Sequence, residues 1–291
     1  MRTASFLVLG AALLAGCAAQ DDDGVGATGG VGASGGLGAF GGQGATGGQG
    51  ATGGQGATGG AAGSSGAAGS GGSGDAGATV MVIGRTSSLT NLTTAVPGFK
   101  VCVFQDPSVP CVLSDSLGDF QLPGVPASSE VLLEFTRTQY YPVLRTVTTH
   151  GSATDIGNAG YPSTIEANAF ASIVGTTIDG TKGQVLFSAL QPGQGFAGQD
   201  GVTASMTPAS GAGPFYISAA QLPDPTLTAT TEAGFGLYAN VNPGTVNVNL
   251  THPSKSCTRL VLASFAGSSA TASKVPVHAG YLTAGASLEC P

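Results

Sequence analysis

Ser114-Asp115-Ser116-Leu117-Gly118-Asp119-Phe120-Gln121-Leu122-Pro123-Gly124-Val125-Pro126 is the stretch on which the fold turns. An aspartate followed by a glycine three residues later suits a tight hairpin turn. The carboxylate can bond nearby backbone N–H groups, and glycine tolerates positive φ without steric cost. Phe120 and Leu122 then fall on one face of the strand that follows, as core residues.

Outward from this turn the chain has the grammar of short strands. Thr79 to Arg85 and Phe99 to Gln105 alternate or carry β-branched residues, with Val96-Pro97-Gly98 as turn material between them. Val112 to Ser114, Phe120 to Leu122, Val131 to Arg137 and Val143 to Thr148 continue the pattern, and no helical period interrupts it. Such a run predicts an antiparallel β-sandwich over 79–150.

The same stretch resembles the carboxypeptidase regulatory-like domain, a transthyretin-like (prealbumin-like) sandwich. Its signature runs Thr/Ser-Asp-x-x-Gly-x-Phe-x-Leu, then Val-Pro, with a Gly-Tyr near the end. Pro97-Gly98-Phe99-Lys100-Val101 stands where that family has its strand entry, and Gln139-Tyr140-Tyr141-Pro142 replaces the Gly-Tyr. The resemblance implies a non-catalytic module of the kind that accompanies peptidases, transporters and surface proteins.

Gly151 to Pro162 reads as a loop. Ser163-Thr164-Ile165-Glu166 then forms a capping box, and Ile165, Ala169 and Ile173 keep helical spacing up to Gly175. A short helix over Thr164 to Val174, docked by that apolar stripe, is expected within a 151–175 connector. Strand patterns resume at Gln184 to Ser188, Val202 to Met206, Phe215 to Ser218 and Leu227 to Thr230. Thr230 to Gly244 echoes the first signature, with Glu232 and Gly236 as departures, and Val246, Val248 and Leu250 alternate after it. Ala279-Gly280-Tyr281 supplies the Gly-Tyr element. Residues 176–291 are therefore expected to form a second, divergent antiparallel sandwich. The expected class is all-β, two small sandwiches joined by one short helix.

Upstream of Ala78 the composition changes. More than half of the 50 glycines lie between Gly24 and Gly77. The hexapeptide GATGGQ and its variants recur from Gly26, placing glycine at every third position to Gly59. This is formally a collagen-like Gly-x-y run, which as a triple-helical stalk would make a trimer. The run lacks proline and many of its triplets begin Gly-Gly, which raises the ordering entropy. The favoured reading over 18–78 is a disordered, flexible linker reaching roughly 40 to 45 Å root-mean-square, on a monomeric protein. Matches to GxGxxG at Gly24 to Gly29 and GxSxG at Gly32 to Gly36 are products of this low complexity, since neither follows a strand nor opens a helix.

The chain opens with Arg2, an apolar run from Phe6 to Leu14 and small residues, a signal-peptide pattern over 1–17. Leu13-Leu14-Ala15-Gly16-Cys17 resembles the lipobox of bacterial lipoproteins. The resemblance implies diacylglyceryl and acyl chains on Cys17. It also implies, with Ala18 rather than aspartate following, an outer-membrane address facing either the periplasm or the exterior. Several acyl chains at about 0.8 kcal/mol per buried methylene anchor a protein almost permanently. Of five cysteines, Cys102, Cys111, Cys257 and Cys290 remain. An even remainder in an exported chain suggests two disulfides in one of three connectivities, with Cys102–Cys111 and Cys257–Cys290 as the local solution.

Several activities are argued against. The net charge is −7 with only 9% charged residues, so no clustered cations exist to neutralise nucleic-acid phosphates. The three histidines, His150, His252 and His278, open no zinc motif and read as turn or surface residues. No serine outside the spacer has a nucleophile-elbow context. Asp115 and Asp119 are too few for calcium, and no cofactor or metal is expected. Lys182, Glu232 and Asn247 supply the residue types of a Lys–Asn crosslink, without an asparagine near the final strand. The sequence is read as a non-enzymatic, membrane-anchored surface lipoprotein, structural or adhesive. The alternative is a carbohydrate- or peptide-binding accessory protein of the envelope with an envelope glycan or protein as partner. For that alternative, exposed Tyr140, Tyr141 and Tyr281 would be the contact residues.

Overall fold

The computed structural model describes residues 77–192, 197–260, 265 and 267–291. Cys17 and the Gly-x-y run lie outside them. Seven strands come first: β1 (Thr79–Ser88), β2 (Lys100–Val103), β3 (Val112–Leu113), β4 (Asp119–Pro126), β5 (Glu130–Thr136), β6 (Val143–Thr148) and β7 (Thr154–Tyr161). Helix α1 (Thr164–Ile173) follows. Then come β8 (Gly183–Leu190), β9 (Thr203–Thr207), β10 (Ala212–Ile217), β11 (Pro223–Asp224), β12 (Phe235–Val241), β13 (Gly244–Thr251), β14 (Thr258–Arg259), β15 (Ala272–Val277) and β16 (Leu282–Glu289). The architecture is nearly all β, as the strand grammar predicts.

The quoted stretch forms its turn as the chemistry requires. Gly118 N–H donates to the Asp115 carbonyl at 3.0 Å, and Asp115 Oδ1 accepts from the N–H groups of Leu117 (2.8 Å) and Asp119 (2.9 Å). Gly118 has φ +79°, and a Cβ there would lie 2.4 Å from the Thr86 carbonyl oxygen. Phe120 and Leu122 are buried. The turn does not close a hairpin, however. β3 pairs with β2, whereas β4 pairs with β1 in a different sheet. The Asp-x-x-Gly turn is thus a corner that carries the chain from one layer to the other.

Three sheets result. One orders β4-β1-β7 and another β15-β13-β9, and a ten-stranded sheet runs β11-β10-β12-β8-β16-β6-β5-β2-β3 with β14 beside β16. A first apolar cluster joins β1, β4 and β7 to β2, β5 and β6 through Val82, Leu122, Ile156, Val101, Phe135 and Val147. A second joins β9, β13 and β15 to β8, β10, β12 and β16 through Met206, Val248, Val275, Phe187, Tyr216, Tyr238 and Leu288. The last strand ties the two together, pairing in parallel with both β6 and β8. Leu282 lies beside Val143 and packs against the first cluster, while Thr283 lies beside Val185 of the second. Successive strand residues point to opposite faces. The two cores therefore sit on opposite faces of one continuous sheet.

Three expectations need correcting. Residues 154–161 are a strand, not a loop: β7 runs parallel to β1, and its Tyr161 completes the first core, which therefore extends beyond position 150. Close approach is what permits it. A Cβ on Gly160 would stand 2.8 Å from Leu89 Cα, and one on Gly84 would stand 2.7 Å from the Ile156 side chain. Leu227 to Thr230 is not a strand, and the pairing at that edge is made by β11 instead.

The third correction concerns α1, whose capping box forms as read. Glu166 N–H donates to Ser163 Oγ, and Ser163 N–H donates to Glu166 Oε2 at 2.7 Å. The docked face is nevertheless not Ile165, Ala169 and Ile173. Ile165 is 82% exposed and Ile173 42%, while Ala171 is buried. The inward side is that of Ala167, Phe170, Ala171 and Val174, on which Glu166 also accepts from Thr90 Oγ1 at 3.1 Å, and Ile165, Ala169 and Ile173 lie on the opposite, solvent side.

Candidate functional site

Both local disulfides form. Cys102 bonds Cys111 beside β2, and Cys257 bonds Cys290, joining the segment before β14 to the end of β16.

The three tyrosines do not form a platform. Tyr141 is only 8% exposed, which corrects the expectation of an exposed ring. Its backbone N–H donates to the Pro162 carbonyl, drawing the residue under the chain that leads to α1. Tyr140 is half-buried, packed edge-on to Phe99 at 5.0 Å between centroids, with the Arg137 guanidinium 4.9 Å above its ring. Tyr281 is elsewhere. It precedes β16, meets Phe104 at 5.5 Å, and donates its hydroxyl hydrogen to Glu134 Oε1.

Tyr281 and Phe104 lead to a cleft of about 610 Å³ between the two halves. One wall is Val103, Phe104, Gln105 and Asp106 at the end of β2, with Glu130, Val131 and Leu132 of β5. The other is Thr245 of β13 with Lys274, Pro276 and His278 on and beyond β15, and Phe265. The pleat explains this lining. Val101 and Val103 face the first core, so Phe104 turns to the opposite face of the sheet, where the β15 edge approaches. Phe104 is held by its N–H to the Leu132 carbonyl at 2.8 Å, and His278 packs edge-on against it at 4.7 Å.

Burial lowers the pKa of His278, so its imidazole is neutral at neutral pH, with one nitrogen a donor and the other an acceptor. Burial, and then the Glu134 carboxylate it bonds, push the Tyr281 hydroxyl up to about 12. Asp106 Oδ1 is engaged by the N–H and hydroxyl of Ser108. The cleft can therefore offer an aromatic surface, carboxylates, an ammonium and a neutral imidazole to one ligand. Tyr281, offered by the sequence as a contact residue beside Tyr140 and Tyr141, packs against Phe104 without lining the cleft, and the sequence did not point to Phe104 or His278 as site residues. Their separation in sequence left no local signal.

The other candidate residues stand apart. His150 is exposed, and His252 Nδ1 accepts from the N–H groups of Ser254 and Lys255 in a local turn. Asp119 pairs with Arg85 at 3.3 Å while Asp115 serves the corner turn. Lys182 Nζ donates to Asn242 Oδ1 at 2.6 Å, whereas Asn247 lies on β13 opposite Lys274 and Thr207. Among the described residues, no three His, Cys, Asp or Glu side chains cluster as a metal site would require.

No family model matches the chain, and no curated protein matches it significantly. Among solved structures it is similar to the Bacillus anthracis TIE protein, with 10% identity and a TM-score of 0.23, over 73% of this chain and 34% of that one. It is also similar to a streptococcal ancillary pilin, with 11% identity and a TM-score of 0.23, over 74% of this chain and 63% of that one. GBS52, the minor pilin of Streptococcus agalactiae, shares 8% identity at a TM-score of 0.24, over 73% and 96%. The chain spans about a third of the TIE protein's length and under two thirds of the ancillary pilin's.

Proposed function

We propose that this chain is a non-enzymatic lipoprotein of the cell envelope, a structural or adhesive β-module displayed on a flexible glycine-rich linker. In this reading Cys17 carries the acyl chains and 18–78 is the linker. The folded part is a pair of transthyretin-like sandwiches, the second divergent from the first. The protein works as a monomer at the outer membrane and uses no cofactor. The observation that carries the proposal is the pair of disulfides, Cys102–Cys111 and Cys257–Cys290, one in each half. Such bonds persist in oxidising compartments outside the cytosol, which is where the leader pattern would send the chain.

Protease shaving of intact cells tests it. The expected result is release of the folded part from whole cells, with the Cys17→Ser variant lost from the membrane fraction. Recovery of unacylated wild-type protein from the cytosol would refute the proposal. The alternative of a binding accessory protein is favoured by one observation, the cleft at Phe104.

A further inference from the structure

The cleft between β5 and β15 combines features that the display role does not require. Phe104 lines one of its walls. Among the described residues, the side chains of Gln105, Glu130 and Lys274 and the ring nitrogens of His278 make no hydrogen bond or ion pair with the protein. These donors and acceptors, free to meet a ligand, surround an aromatic, partly apolar surface in a volume within the roughly 300 to 1,000 Å³ typical of small-ligand sites.

The ligand class follows from what the walls can and cannot bond. An extended peptide would join the free edge of β15, yet that edge is already spent. Ala272 N–H donates to Ser269 Oγ at 3.1 Å, Lys274 N–H donates to Ser268 Oγ at 2.8 Å, and Pro276 has no N–H. A polyanion would meet the carboxylates of Glu130 and Asp106. A saccharide fits both limits. Its hydroxyls are donors and acceptors at once, matching a carboxylate, an ammonium and a neutral imidazole, and its C–H faces pack on aromatic rings. We propose that this cleft binds a short saccharide, with Phe104 as the apolar platform and Glu130, Lys274 and His278 as the hydrogen-bonding rim. The site is distinct from Tyr140 and Tyr141, and it stands whether or not Cys17 is acylated.

The test uses the full mature chain, purified in detergent. It is applied to a broad array of short glycans and then titrated calorimetrically with a glycan that the array retains, with tetra-alanine as the peptide control. The expected result is saccharide binding weakened at least about tenfold by Phe104→Leu, by Lys274→Ala and by Glu130→Gln, and unchanged by Tyr140→Ala. Glu130 and Lys274 are exposed, so their variants fold even if the Phe104 variant does not. Retention of no glycan overturns the proposal. So does glycan binding indifferent to Lys274→Ala and Glu130→Gln, or binding of tetra-alanine alone.

Discussion

The hydroxyl of Tyr281, in the turn before the last strand, donates to Glu134 Oε1 at 2.5 Å, across 147 residues of sequence. The bond ties the turn that enters the strand shared by both cores to the middle of β5, and Phe104 packs against the same ring. The folded state holds the Tyr281 proton more tightly than the unfolded chain does, with a pKa near 12 against about 10. Its contribution to stability is therefore complete below pH 10 and is lost as pH rises through about 12. A tyrosinate absorbance titration of wild type minus Tyr281→Phe should show a group titrating near 12. A difference group near 10 would mean that the hydroxyl is neither buried nor bonded to Glu134 in solution.

Two glycines with similar backbone angles should respond differently to alanine. Gly118 and Gly98 have φ +79° and +76°, but a Cβ at Gly98 meets nothing within 4 Å while one at Gly118 collides with the Thr86 carbonyl. Gly98→Ala is expected to cost about 1 kcal/mol, the left-handed penalty alone. Gly118→Ala is expected to cost about 3 kcal/mol or more, because the corner between the layers must shift. Urea unfolding of the two variants measures the difference.

The disulfides should differ in weight. In the loop-entropy picture, the 33-residue separation of Cys257 and Cys290 corresponds to about 4 kcal/mol, and the 9-residue separation of Cys102 and Cys111 to about 2.5 kcal/mol. Paired Cys→Ser replacements, compared by denaturant unfolding, are expected to keep that order.

For the helix, Ile165→Ala should leave stability within about 0.5 kcal/mol, since the side chain is in water. Glu166→Ala should cost about 1 kcal/mol by removing half of the capping box and the acceptor for Thr90. Thermal unfolding of the two variants checks the order, and a larger loss at Ile165 would restore the docked stripe that the apolar spacing suggests.

Local chemistry was legible in the sequence where one residue determines its neighbours. Asp115 and Gly118 announce their turn, Ser163 and Glu166 their cap, and Phe120 with Leu122 their buried face. What depends on distant partners was not. β7 carries Gly157, Asn158 and Gly160, poor strand formers, and is a strand because β1 pairs with it in parallel across some 70 residues. The direction of the Asp115 turn, corner or hairpin, depends on which sheet β4 joins. The cleft is assembled from positions near 104, 130 and 278, which meet only because β16 inserts between β6 and β8.

That insertion is the feature on which the structural account rests, and hydrogen exchange read by mass spectrometry tests it directly. With both cores built on opposite faces of one sheet, the slowest-exchanging amides of β5 and of β13 should open together, with the same denaturant dependence. A Thr283→Pro substitution in β16 should speed exchange in both. Two independent openings, with β5 keeping its protection after Thr283→Pro, would contradict a shared sheet.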